Sequence, residues 1–182
     1  MKRRVILVRH GEVAPRWRGV CYGQTDVELS DHGQRQTSQL IEELATWPIH
    51  ALWHSGLTRA RCLAEPLAAL LGLPCREDSR LAEIHFGAWE GRDWQAIFAE
   101  TGRAMEAILS APDHFAPPGG ETLHGLRDRV LSWFHELPAE GLLVAICHGG
   151  PIAALRGTLA GLPASHWPTL VPQMGTWVEL PS

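Results

Sequence analysis

The chain has 182 residues, 45% of them hydrophobic and 20% charged, which is the length of one domain and the composition of an ordinary folded globular protein, so disordered, collagen-like and coiled-coil classes are excluded. Sixteen Lys plus Arg against twenty Asp plus Glu leave a formal charge of -4, which excludes the broad basic footprint of a non-specific nucleic-acid binder. Fifteen of the sixteen cations are Arg, a bias that genomic base composition explains more simply than oxyanion recognition does.

Val5-Ile6-Leu7-Val8 is a short, continuously apolar run rich in β-branched residues, the pattern of a strand buried on both faces of a parallel sheet. It is shorter than the roughly 7 to 15 apolar residues of a secretory leader. After Ser30, a residue type suited to a helix N-cap, Thr37, Leu40, Ile41 and Leu44 recur at helical spacing. Ile49–Trp53 reads as a second strand, followed by a helix after Thr58 marked by Leu63, Leu67, Leu70 and Leu71. Residues 84–120 have weak periodicity and frequent Gly, Trp and Pro, and are expected to form a smaller insertion over the sheet. The turn at Pro117-Pro118-Gly119-Gly120 precedes a helical stripe of Leu123, Leu126, Val130, Leu131 and Phe134. A strand at Leu142–Cys147, a helix with Pro151 in its first turn and a last strand at Thr176–Leu180 complete the order. This alternation predicts an α/β fold: one domain over 1–182, a three-layer α/β/α sandwich with a mainly parallel central sheet.

Cys21, Cys62, Cys75 and Cys147 are scattered, with no Cys-x-x-Cys pair, which fits reduced thiols and a cytoplasmic location. No run of about 20 apolar residues occurs, so no membrane partner is expected.

Ligands of open α/β sheets bind beyond the carboxyl ends of the strands. Arg9-His10-Gly11-Glu12 follows the first strand, His54-Ser55 and Thr58-Arg59 follow the second, and His148-Gly149-Gly150 follows Cys147. Two His and two Arg are therefore expected to converge on one crevice. Gly11, Gly149 and Gly150 are expected to let an anion approach the backbone, and the helix starts after Ser55 and Gly150 to offer free amides.

These residues resemble the histidine phosphatase, or phosphoglycerate mutase-like, superfamily. The resemblance rests on Arg9-His10-Gly11-Glu12, on Asp26 with Leu29 and Gly33, and on Ser55-Gly56-Leu57-Thr58-Arg59-Ala60. It continues through Arg80-Leu81-Ala82-Glu83, Phe86-Gly87-Ala88-Trp89-Glu90-Gly91, Gly120-Glu121 with Arg129-Val130, and His148-Gly149-Gly150, in family order. Within the superfamily, Cys21–Val27, Arg61-Cys62 with Leu63-Ala64, and Pro117–Glu121 resemble the alpha-ribazole phosphatase branch.

The resemblance implies a phosphomonoesterase that works through a phosphohistidine. His10 is then the nucleophile, Arg9, Arg59 and His148 the cationic cradle, with His148 protonated beside phosphate, and Glu83 the general acid with its pKa raised by burial near Trp89. Gly11, Arg16, Tyr22, Gly23 and Gly149 are expected to touch substrate; Arg16 stands where the family often has Asn. Glu90 is expected to be structural. The cradle implies no metal and no cofactor. The partner is a small phosphorylated metabolite, with alpha-ribazole 5'-phosphate favoured over a sugar phosphate or a phosphoglycerate, and the oligomeric state is left open, a homodimer included. A catalytically silent phospho-ligand or protein-binding module is the competing class, set against the joint presence of His10, Arg9, Arg59, Glu83 and His148.

Other signals have simpler readings. His50 and His54 stand four apart but in a strand, which does not bring them together as a helical metal pair would be. Cys147 completes a buried apolar strand and reads as core. Trp94 is a position from which an indole can stack on an aromatic ring such as benzimidazole.

Overall fold

The computed structural model describes residues 2–181. The chain runs β1 (Arg4–Arg9), β2 (Val20–Cys21), α1 (Asp31–Leu44), β3 (Ile49–His54), α2 (Thr58–Leu71), β4 (Cys75–Glu77), β5 (Arg92–Asp93), α3 (Trp94–Thr101), α4 (Ala107–Ser110), α5 (Leu123–His135), β6 (Leu142–Cys147), α6 (Gly149–Leu159) and β7 (Trp177–Glu179). Five strands form the central sheet in the order β4-β3-β6-β1-β7. All pairings are parallel except β7, which closes the edge antiparallel to β1.

The two faces of the sheet are sorted by the period of two of a strand. Val5 and Leu7 of β1, with Leu143, Ala145 and Cys147 of β6, pack on α5 and α6. Ile6 and Val8, with Leu142, Val144 and Ile146, pack on α1 and α2. Both faces are covered, which is why β1 and β6 carry uninterrupted apolar runs. The result is the three-layer α/β/α sandwich of the alternation.

Helix ends are set by side chains that the sequence provides locally or across the fold. Ser30 caps α1, its Oγ accepting from the Gly33 amide at 2.9 Å, and Thr122 caps α5 through the Gly125 amide at 2.9 Å. Helix α2 has no cap of its own. Asp26 supplies it from a distant loop, accepting from the Thr58 amide at 2.9 Å and the Thr58 hydroxyl at 2.6 Å. That pair ties the 20s loop to the helix that carries Arg59.

The 84–120 segment forms α3, α4 and short 3₁₀ turns, and its strand β5 pairs with β2 in a separate antiparallel ribbon. Its apolar side chains form a small cluster around Cys21, Trp89 and Ile97, joined to the core on the α5 and α6 side through Phe86 and Ile108. The strands β2, β4 and β5 are absent from the sequence prediction because two or three residues are too few to show a period.

Candidate active site

Strands β1, β3 and β6 are neighbours, and their carboxyl ends set His10, Ser55 and His148 side by side. His10 follows β1, is 1% exposed, and is anchored by its amide on the Cys147 carbonyl at 3.2 Å. Its Nδ1 lies 2.7 Å from the Gly11 carbonyl. A carbonyl oxygen only accepts, so Nδ1 carries the proton and Nε2 of the neutral ring presents a lone pair. Burial, then the Arg59 charge, push the His10 pKa down to about 3, with the Gly11 contact opposing and Arg9 adding to the fall. The ring is neutral across the physiological range.

His148, the residue before α6, has its ring centroid 5.1 Å from that of His10. Arg59 of α2 donates from Nε to His148 Nδ1 at 3.3 Å. Guanidinium has no acceptor, so Nδ1 of His148 is unprotonated and the ring's proton sits on Nε2, where it faces Ser55 Oγ at 2.7 Å. Burial, with the Arg59 charge second, holds His148 well below the usual histidine range. Without a phosphate beside it the ring is neutral, because a buried imidazole next to a guanidinium resists a second positive charge; the protonated form expected of His148 is the one beside bound phosphate.

Arg59 itself is fully buried. Its Nη1 donates to the Thr25 carbonyl at 2.8 Å and Nη2 to the Gly23 carbonyl at 2.5 Å, and its guanidinium lies 5.2 Å from the Tyr22 ring centroid. Burial lowers its pKa, while Glu83 and Tyr22 pull it back up. This is a buried cation held by carbonyl dipoles and an aromatic face, with no direct carboxylate partner among the described residues. Arg9 spends Nη1 on the Pro172 carbonyl at 2.7 Å, and its Nε is buried without a hydrogen-bond partner. Its guanidinium lies against Gly149, where a Cβ would come within 3.4 Å of Cζ.

Glu83 reaches the site from a loop. Its Oε1 accepts from its neighbour Ile84 at 2.9 Å and from the Gly150 amide in the first turn of α6 at 3.0 Å. Its backbone is clamped: the Glu83 carbonyl accepts from Gln24 at 2.8 Å and from Arg129 at 2.9 Å. Arg129 also holds the Arg80 and Ala82 carbonyls at 2.7 and 2.8 Å, and pairs with Glu121 at 2.6 Å. Trp89 packs with Cys21 and Ile97. Glu90 is fully occupied in the scaffold: Oε1 accepts from Gln24 and Phe86, Oε2 from both the amide and hydroxyl of Thr25.

The glycines serve close packing more than anion approach. A Cβ on Gly11 would collide with the Gly33 carbonyl of α1, and one on Gly150 with the Glu83 carboxylate. Gly23 lies at a φ of 40° with Glu90 against it, and its carbonyl holds Arg59. Tyr22 is half-buried beneath Arg59; burial pushes its phenol up, and the Arg9 and Arg59 charges oppose this. Arg16 is exposed, pairs with Glu28 at 2.6 Å and lies over the Trp17 ring at 5.5 Å. Ser55 was absent from the predicted site, although its place directly after β3 was the available signal.

The set-aside residues fall elsewhere. Burial pushes the Cys147 thiol up to about 12, so it is no thiolate nucleophile. His50 and His54 lie in β3, and their Nδ1 atoms accept from the Leu142 and Gly56 amides at 3.1 and 3.0 Å. Among the described residues no helix is long and apolar enough to cross a membrane.

A neutral, buried imidazole with a free ring nitrogen, ringed by two arginines and a second histidine beyond the ends of parallel strands, defines a phosphoryl-handling α/β enzyme site. The chain matches the histidine phosphatase superfamily (branch 1) over residues 5–181 and belongs to that family. It is 35% identical, over 98% of its length and 84% of the relative's, to glucosyl-3-phosphoglycerate phosphatase of Mycolicibacterium vanbaalenii. It is 34% identical, over 88% of its length and 76% of the relative's, to the probable phosphoglycerate mutase GpmB of Klebsiella pneumoniae. The solved structure of a mycobacterial glucosyl-3-phosphoglycerate phosphatase superposes with a TM-score of 0.86 at 31% identity, covering 97% of this chain and 89% of that one. Structures of that protein with VO3 and with inorganic phosphate superpose at 0.82.

These relatives are named for glucosyl-3-phosphoglycerate and phosphoglycerate, not for the alpha-ribazole phosphate of the expected branch. The segments that carried it serve the scaffold: Gln24 and Thr25 bind Glu90 and the Glu83 backbone, and Glu121 holds Arg129. They brace the phosphoryl site and say little about the alcohol half of a substrate.

Proposed function

We propose that this chain is a metal-independent phosphomonoesterase acting on a small phosphorylated metabolite through a phosphohistidine at His10. The observation that carries the reading is the tautomer lock: Nδ1–H of His10 is spent on the Gly11 carbonyl at 2.7 Å while burial keeps the ring neutral, so Nε2 is a permanent nucleophile.

In the first displacement Nε2 bonds to phosphorus, the P–O ester bond breaks, and the departing alkoxide takes a proton from Glu83. In the second, water attacks phosphorus, Glu83 accepts the proton it sheds, the P–N bond breaks, and inorganic phosphate leaves. Arg59 and Arg9 stabilise charge on the equatorial oxygens. The unpartnered Nε–H of Arg9 is a donor that an oxyanion satisfies, which removes a cost of about 1–3 kcal/mol for a buried orphan. Ser55 accepts from His148, which leaves its own hydroxyl proton free to donate to a phosphate oxygen, and the Gly149 amide at the start of α6 adds a further donor.

The relatives' names favour an ester of the phosphoglycerate kind as substrate, with alpha-ribazole 5'-phosphate the alternative drawn from the sequence. The test is incubation with a ³²P-labelled phosphomonoester, acid-labile labelling, and a panel of glucosyl-3-phosphoglycerate, 3-phosphoglycerate and alpha-ribazole 5'-phosphate. Acid-labile label on wild type and none on His10→Ala is the expected result. No label on wild type, or equal label on the variant, overturns the reading in favour of a silent phospho-ligand module. Isomerisation of 3-phosphoglycerate without net phosphate release overturns it in favour of a mutase.

A further inference from the structure

Three consecutive residues of the 20s loop touch both halves of the chemistry. The Gly23 and Thr25 carbonyls hold the Arg59 guanidinium, and between them Gln24 donates from Nε2 to the Glu83 carbonyl at 2.8 Å. A carbonyl only accepts, so the nitrogen end of the Gln24 amide is the one turned to Glu83. The loop is itself held from two sides: the Gln24 and Thr25 amides donate to Glu90 at 3.1 and 2.9 Å, and Asp26 caps α2 through Thr58. A Cβ on Gly23 would stand 2.9 Å from the Ile84 carbonyl, so the loop lies directly against the Glu83–Ile84 segment.

The Glu83 carbonyl takes a second donor, Nη2 of Arg129 at 2.9 Å, and two donors fill both of its lone pairs. They come from different parts of the fold. Arg129 belongs to α5 and also holds the Arg80 and Ala82 carbonyls and Glu121, so it keeps the whole 80s loop in shape. Gln24 gives the Glu83 backbone one bond, and that bond leads to the loop that grips Arg59. Among the described residues the Glu83 carboxylate is held by the Ile84 and Gly150 amides alone, so where it stands follows from where its backbone stands. Its charge reaches the cradle: of the groups that pull the Arg59 pKa back up, Glu83 acts most strongly.

We infer that Gln24 is a positioning residue for the general acid: its side-chain amide fixes the Glu83 backbone at a set distance from the Arg59 cradle. That role rests on the phosphomonoesterase reading. Arg59 holds the phosphoryl group, and Glu83 must stand within hydrogen-bond reach of the ester oxygen on that same group. Acid and cradle therefore have to be set against each other, and a displacement of about 1 Å can cost about 10²-fold in rate. Glu90 ties the same loop to Phe86, three residues beyond the acid, whereas Gln24 is bonded to Glu83 itself. A neutral hydrogen bond of this kind adds little to net stability, so its removal is expected to move the acid without unfolding the chain.

The test is Gln24→Met, which keeps the length of the side chain and removes its donor. On an alkyl phosphate kcat is expected to fall about 10- to 100-fold with KM within about twofold, because the cradle that binds phosphate is intact. On p-nitrophenyl phosphate, whose leaving group needs no proton, kcat is expected to stay within about threefold. A merely structural role would lower both alike. Equal losses on the two esters, or no loss on either, overturns the inference while the esterase reading stands. A second readout needs no catalysis. Hydrogen exchange at the Gly150 amide, which is bonded to the Glu83 carboxylate in wild type, is expected to quicken about fivefold or more in Gln24→Met while the amides of α1 keep their rates. Unchanged exchange at Gly150 overturns the inference. If wild type hydrolyses neither ester and takes no label at His10, the esterase reading fails, and the exchange result alone decides whether Gln24 positions Glu83.

Discussion

Arg59 and His148 share a single hydrogen bond, Nε to Nδ1 at 3.3 Å, and through it the second helix dictates the tautomer of the histidine that follows β6. The other two arms of the guanidinium hold the Gly23 and Thr25 carbonyls. Arg59 thus joins three distant parts of the chain by donors alone, in a fork that an ammonium cannot copy.

Arg59→Lys is accordingly a severe substitution. Lysine keeps the charge but cannot bond His148, Gly23 and Thr25 together, so kcat for p-nitrophenyl phosphate is expected to fall about 10²- to 10³-fold, the usual cost of one lost oxyanion donor. Steady-state kinetics on the purified variant checks this; activity within fivefold of wild type would remove Arg59 from the cradle.

Stability should decline in mild acid. The folded His10 has a pKa near 3 and the folded His148 is also held low, whereas unfolded histidines titrate near 6.5. Above about pH 6.5 neither state carries the protons and the histidines contribute nothing to the pH dependence. Between 6.5 and about 3 only the unfolded state binds a proton at His10, so unfolding free energy falls as pH drops, by up to about 1.4 kcal/mol per pH unit, and His148 acts in the same direction. Urea melts at pH 7 and pH 5 should show a loss of about 2 kcal/mol from His10 alone, with His148 adding to it, and His10→Gln should flatten the slope by the His10 share. An unchanged slope in the variant would show that His10 is protonated in the fold.

Much of this was legible in the sequence, for identifiable reasons. The strands β1, β3 and β6 and the helices α1, α2, α5 and α6 are long enough to show a period, and Ser30 marks its helix start chemically. His10, Arg59 and His148 were legible because each follows a strand end. Glu83 was not: it stands in a loop, and only its family motif singled it out. The ribbon of β2 and β5 escaped because it has two residues a side, and Ser55, although named at its strand end, was given no role because a serine hydroxyl does not announce its partner. The Arg16–Glu28 pair, twelve residues apart, is a contact that no spacing rule anticipates.

Glu83 is expected to act as acid only where the leaving group needs a proton. Glu83→Gln should slow an alkyl phosphate by about 10²- to 10⁴-fold, the range of general acid catalysis, and p-nitrophenyl phosphate by much less, since nitrophenolate leaves unaided. Comparing kcat on the two esters tests the assignment. Equal losses would mean that Glu83 only orders the site.

Gly150 separates fold from chemistry. It lies in the first turn of α6, and a Cβ there would meet the Glu83 carboxylate, with the Leu126 side chain at 3.3 Å beyond it. The obstacle is the mobile end of a side chain, so the backbone can stay while Glu83 swings off the Gly150 amide. Alanine also gains about 0.5–1 kcal/mol over glycine within a helix, which offsets part of the crowding. Gly150→Ala is therefore expected to melt within a few degrees of wild type yet lose about 100-fold in kcat on alkyl phosphates, the lower end of what general acid catalysis supplies. It should keep most of its activity on p-nitrophenyl phosphate, as Glu83→Gln does. Thermal melts with kinetics on both esters check it. A variant that folds and hydrolyses alkyl phosphates at the wild-type rate would show that the Gly150 amide does not set the position from which Glu83 works.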